Sequence, residues 1–180
     1  MKQHTLSVLV ENNAGVLSQV SRLFSRKGYN IESLAVGVTD DPSVSRMTIL
    51  MVGDDLMVRQ VASQLSKLRP VISVQRLDPG KSVRRELLLI KVKAETREKR
   101  DEIIQIVNIF RANIIDVSRS ALTVELTGDA EKTGAILALL KEFGILELAR
   151  TGMVALERGP ITIYDDNKEK GEFNYGKDVL

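Results

Sequence analysis

Residues 9–34 read LVENNAGVLSQVSRLFSRKGYNIESL, and this stretch decides the fold. An apolar run over Leu6–Val10 predicts a strand, which passes into Glu11-Asn12-Asn13-Ala14-Gly15 and at once into an amphipathic helix. Val16, Val20, Leu23 and Phe24 recur at the three-and-four spacing that places them on one helix face. Asn12 or Asn13 is expected to cap the helix, because a short amide oxygen reaches the orphan N–H groups of a first turn. Gly28 is expected to close it in the left-handed conformation common after a helix end. Tyr29-Asn30-Ile31 then opens the next strand. A strand, a turn of small residues and a helix start together make a seat for a small anion such as a carboxylate.

Outward from this stretch the pattern continues. Ile31–Val38 alternates as a strand, Thr39-Asp40-Asp41-Pro42-Ser43 is a turn cluster, and Ser45–Val52 is the returning strand. Asp54 is placed to cap a second helix with the stripe Val58, Val61, Leu65 and Leu68, which Pro70 stops. Val71–Leu77 is the fourth strand. The order βαββαβ is the ferredoxin-like plan, an antiparallel sheet with two helices on one face.

After Asp78-Pro79-Gly80-Lys81-Ser82 the same order begins again. Strands are expected over Glu86–Val92, Ile114–Val117, Leu122–Thr127 and Ile145–Leu156, the last kinked at Gly152; helices over Arg97–Phe110 and Ala130–Phe143. Two echoes support a repeat: Asn30-Ile31 with Asn113-Ile114, and Gly53-Asp54 with Gly128-Asp129. The fold class is therefore α+β, two tandem ferredoxin-like domains: residues 1–78, a linker over 79–85, a second domain over 86–158, and a polar tail over 159–180. The halves differ at the first turn. Lys93-Ala94-Glu95-Thr96 has no glycine and carries a carboxylate, so an anion cradle is expected only in the first half.

The 180 residues carry a net charge of +2, with acids and bases interleaved, which disfavours nucleic acid as the main partner. Tryptophan is absent and aromatics are few, so base-stacking platforms are not indicated. No apolar run reaches membrane-spanning length, and MKQHTLSVLVEN lacks a secretory signal. The absence of cysteine suits a reducing cytoplasm. His4 is the only histidine, so a metal site with several converging ligands is not expected, and no GxGxxG or Walker run marks a nucleotide cofactor. Gly53-Asp54-Asp55 reads as a helix cap rather than part of a diphosphate motif. The carboxylates form no pair in an apolar setting. No catalytic residue is assigned, and no cofactor is expected in this chain.

A small-molecule sensor fits better, and each residue carries a plain reading beside the functional one. Gly15 serves a tight turn, or lets a carboxylate approach the N–H groups of Gly15, Val16 and Leu17. Asn12 caps the helix, or its amide meets a ligand. Asn30 is a turn residue, or lines a site with Leu17 and Ile31, which otherwise belong to the core.

The opening stretch resembles the amino-acid-sensing turn of an ACT domain. With DDPSVSRMTI (40–49) and FRANIIDVS (110–118) it resembles the regulatory (small) subunit of acetolactate synthase, the acetohydroxyacid synthase of branched-chain amino acid synthesis, over about residues 1–160. The resemblance implies an N-terminal ACT domain over 1–78 and a homodimer through those domains, with sheets joined edge to edge. It implies that valine, or another branched-chain amino acid, binds at the dimer interface. Asn12, Ala14, Gly15, Val16 and Leu17 would form the carboxylate side, and Asn30 and Ile31 of the other subunit would close the pocket. It implies a non-catalytic, cytoplasmic protein that activates the large catalytic subunit and confers feedback inhibition. Thiamine diphosphate, magnesium and FAD would belong to that catalytic partner. A free-standing ACT-domain sensor of a different enzyme is the alternative. A nucleic-acid-binding ferredoxin-like domain would need exposed aromatics on the central strands, where Leu34, Val36, Met47 and Ile49 stand. An acylphosphatase-like enzyme would need an Arg in the first turn, which has none.

Overall fold

Strand β1 (Lys2–Glu11) is buried on both faces, which sets the plan of everything around it. Leu6, Val8 and Val10 join one apolar core, while Thr5, Ser7 and Leu9 point to the opposite face and are also buried. A two-sided strand reads as a continuous apolar run rather than a clean alternation, and SVLV at 7–10 is such a run. The computed structural model describes residues 2–165 as two units, one built from the segment up to Val83 together with Met153 onward, the other Arg84–Gly152.

In the first unit β1 is followed by α1 (Val16–Lys27), β2 (Ser33–Val38), β3 (Val44–Gly53), α2 (Asp55–Leu65) and β4 (Val71–Leu77). The antiparallel sheet has the order β2-β3-β1-β4. Val16, Val20, Leu23 and Phe24 of α1 and Val58, Val61, Ala62 and Leu65 of α2 pack on Leu6, Val8, Met47, Ile49 and Val74. The helix stripes expected from spacing are thus the ones buried, although α2 ends before Leu68. Strand β2 begins at Ser33 rather than Ile31, because Asn30 and Ile31 lie in the connection from α1.

The second unit repeats the order with β5 (Ser82–Lys93), α3 (Arg97–Ile109), β6 (Asn113–Val117), β7 (Ala121–Gly128), α4 (Ala130–Leu140) and β8 (Ile145–Arg150). Its sheet order is β6-β7-β5-β8. Leu88, Ile90, Val92, Ile103, Val107, Val124 and Ile136 make a separate core. Two ferredoxin-like units in tandem are the observed architecture.

Three boundaries differ from the expectation. The linker is shorter than 79–85, since β5 already begins at Ser82. The last strand is two strands: β8 stops at Arg150, Gly152 takes φ +80°, and β9 (Val154–Glu157) departs. Residues 153–158, expected in the second domain, group with the first. Beyond β9, Ile163 of the expected polar tail is only 3% exposed. The physical reason is the second face of β1. Met153, Ala155 and Ile163 are buried, and β9 lies against β1 and β4. The Met153 N–H donates to Ser33 Oγ (2.9 Å), Ser73 Oγ to the Ile163 carbonyl (3.4 Å), and Gln75 Nε2 to Glu157 Oε2 (2.5 Å). Ser33, Ser73 and Gln75 share the sheet face of Thr5, Ser7 and Leu9 by register. The segment is a strap over a face that would otherwise meet water. The remainder of the expected tail, 166–180, lies outside the described residues.

Candidate functional site at the first turn of α1

The turn between β1 and α1 is built around Gly15, which stands at the N-cap position with φ +84°. That left-handed conformation strains a residue with a Cβ and suits glycine. Nothing lies within 4 Å of where a Cβ would sit, so the turn is open on that side. Neither asparagine caps the helix, contrary to expectation. Asn12 Nδ2 donates to the Pro42 carbonyl (2.9 Å) and its Oδ1 accepts from Ser45 Oγ (3.0 Å). The Asn12 N–H donates to the Ser43 carbonyl at 2.7 Å. Asn13 Nδ2 donates to Glu11 Oε2 at 3.0 Å. Asn12 therefore braces the turn against the β2–β3 hairpin, 30 and 33 residues away, a distance at which local pattern gives no signal.

The consequence is a helix start without a side-chain cap. The Val16 N–H reaches the Asn13 carbonyl only at 3.4 Å, and those of Leu17 and Ser18 meet no acceptor among the described residues. The other α-helices are capped: Asp54 Oδ1 accepts from the Met57 N–H (2.7 Å), Thr96 Oγ1 from Lys99 (3.3 Å) and Asp129 Oδ1 from Lys132 (2.9 Å). In the second unit Arg100 Nε also donates to the Ala94 carbonyl at 2.9 Å, holding that turn. Open N–H groups plus the positive end of the helix dipole favour an anion at the first turn of α1.

Of the remaining site residues, Ala14 and Leu17 are exposed, and Val16 is buried in the core with its backbone at the turn. Asn30 Nδ2 donates to Glu32 Oε1 at 2.6 Å, and Ile31 is half-buried against the core. Asn30 and Ile31 lie past the far end of α1, whose 12 residues span about 18 Å. One chain brings Asn12, Ala14, Gly15, Val16 and Leu17 together, and holds Asn30 and Ile31 apart from them. The hydroxyl of Ser45 and the carbonyl of Pro42 are the partners that sequence reading missed.

Two family models match: the ACT domain of acetohydroxyacid synthase small subunits over 6–73, and the small subunit of acetolactate synthase over 85–159. The chain is 54% identical over 159 residues to the acetolactate synthase small subunit of Mycobacterium bovis, covering 88% of this chain and 94% of that one. It is 50% identical over 157 residues to that of Mycolicibacterium smegmatis, covering 87% and 92%. The crystal structure of the acetolactate synthase small subunit from Thermotoga maritima superposes with a TM-score of 0.83 at 42% identity, covering 89% of this chain and all (100%) of that one. On its sequence, its two units and these likenesses, the chain belongs to the family of acetolactate synthase small subunits, with an ACT domain as its first half.

Proposed function

We propose that the protein is the regulatory subunit of an acetolactate synthase: it activates the large catalytic subunit and confers feedback inhibition by a branched-chain amino acid, valine first. Family membership supports the pairing with a catalytic subunit. The uncapped start of α1 around Gly15 is the observation that carries the ligand reading. A valine carboxylate would sit on the N–H groups of Leu17 and Ser18, beside Asn12 and Ala14. Its aliphatic side chain would meet Ile31, with Asn30, of a second copy.

Distance supports a site shared between two copies. The first turn and Asn30 stand at opposite ends of a 12-residue helix, too far apart to meet one valine within a single chain. A dimer through the β2 edges would bring the ends together, and β2 is one of the two edges of its sheet among the described residues, with Val36 and Val38 exposed. A ligand between copies biases their packing; coupling of about 1–3 kcal/mol gives a 5- to 150-fold change in affinity between ligand and partner. The chain itself would carry no reaction chemistry, and thiamine diphosphate, magnesium and FAD would sit in the catalytic subunit. A cytoplasmic setting fits this role; no helix among the described residues is long and apolar enough to cross a membrane.

Calorimetric titration with valine tests the reading. The wild type binds valine, and Gly15→Asp, which sets a carboxylate against the ligand's own, does not, with circular dichroism unchanged. Valine binding untouched by Gly15→Asp would place the ligand elsewhere. Saturating valine without effect on the reconstituted enzyme would overturn the feedback role.

A further inference from the structure

The broad faces of the first unit are not equally available. One face of its sheet is covered by the strap of Met153, Ala155 and Ile163. The other carries α1 and α2, whose outer sides are exposed among the described residues and hold a one-sided set of charges. Helix α1 has Arg22, Arg26 and Lys27 and no acid. All three are exposed, as is Arg59 of α2. None of the four forms an ion pair among the described residues. The acid of α2, Asp55, is already held by Arg76 at 2.7 Å. Lys27 and Arg59 line one cleft of about 460 Å³ between the helices, whose other walls are Tyr29, Gln60, Ser63 and Gln64, with no carboxylate.

The plain account covers part of this. Arg26 and Lys27 stand in the last turn of α1, where cations suit the helix dipole. That leaves Arg22, a turn earlier, and Arg59 on the other helix. The second unit shows what a merely solvated face looks like: α3 interleaves Arg97 and Lys99 with Glu98, Asp101 and Glu102, and Arg97 lies 4.0 Å from Asp101. Unpaired charge of one sign, gathered on one face, steers encounter with the opposite sign and fixes which partner docks.

We infer that the α1–α2 face of the first unit is the surface that docks the catalytic subunit, through an acidic patch on that partner received by Arg22, Arg26, Lys27 and Arg59. The inference rests on the regulatory reading above. A protein partner is favoured over RNA because Tyr29 is the only aromatic side chain lining the cleft, and its hydroxyl is turned to Gln60 Oε1 at 3.4 Å.

The test is association of the full chain with purified catalytic subunit, followed by surface kinetics at several salt concentrations. Combined Arg22→Glu, Arg26→Glu and Lys27→Glu should weaken binding by about 10-fold or more, chiefly through a slower on-rate, and flatten its salt dependence. Because those acids also oppose the helix dipole, the Gln triple variant is run beside it. It should fall between wild type and reversal at an unchanged melting temperature. Lys99→Glu on α3 should bind as wild type does. Affinity within 2-fold of wild type in both triple variants would overturn the inference and leave the regulatory reading standing. Loss of single-stranded RNA binding with catalytic-subunit affinity intact would also overturn it. No association by the wild type would overturn both.

Discussion

Gly15 shows what one residue decides. Its φ of +84° with open space around it means that Gly15→Ala strains the backbone without a clash. Left-handed geometry costs an alanine about 1 kcal/mol, so a urea melt should report a loss of that size; unchanged stability would mean that the turn relaxes to another conformation. At the start of α2, the hydrogen bond and charge of Arg76, 2.7 Å away, hold the Asp55 carboxyl below its ordinary 3.8. Folded pKa below unfolded means that the stabilisation is present above about pH 4 and is lost as pH falls through the folded value. Both side chains are partly exposed, so the effect is small and salt-screened. Arg76→Gln should return the Asp55 titration midpoint, followed by NMR, to the ordinary value; a midpoint that stays low would assign the shift elsewhere. Residue types announced the turn of Asn12-Asn13-Ala14-Gly15 but not the use of its amide. A short polar side chain can cap locally or reach a distant strand, and only the fold places Pro42 and Ser45 within reach.

Among the elements, helices were the most legible, since their period is local: all four stripes pack into the cores as spaced. Asp54 and Asp129 cap at their Gly-Asp pairs, though α1 lacks the cap expected of Asn12 or Asn13. Asp54→Ala should cost about 1 kcal/mol by denaturation, and an unchanged midpoint would mean that the Met57 N–H finds another partner. Strand β9 was not legible as a separate element. Ile145–Leu156 reads as one strand kinked at Gly152, and what makes the kink a break is the positive φ of that glycine together with the second face of β1, a demand made from the other end of the chain. The apolar pattern of β1 carried half of that message, because a strand buried on both sides needs a second cover. Among the described residues Ile163 is that cover's last anchor. Ile163→Ala should destabilise the protein by about 2 kcal/mol, the low end for a buried isoleucine because a strap can settle into the gap. A chemical melt that does not move would show the strap to be dispensable.

At the scale of the whole molecule, the ACT unit is complete as a fold, and the proposed ligand site draws on residues that one chain keeps apart. Among the described residues its sheet has one face under helices, one under the strap, and edges at β2 and β4. The resemblance could name both halves of the expected valine pocket from motifs alone, yet the 12-residue α1 keeps Asn30 and Ile31 away from the first turn within one chain. The second unit, whose corresponding helix start is capped by Thr96, offers no equivalent seat. The claim that two copies share each ligand is tested most directly by a mixed dimer, co-expressed with two tags and purified through both. One chain carries Gly15→Asp and keeps Asn30; the other carries Asn30→Ala and keeps Gly15. If each pocket draws on both chains, the mixed dimer regenerates one intact pocket, and calorimetry should find one valine per dimer where either parent dimer binds none. A mixed dimer as silent as its parents would contradict a shared site.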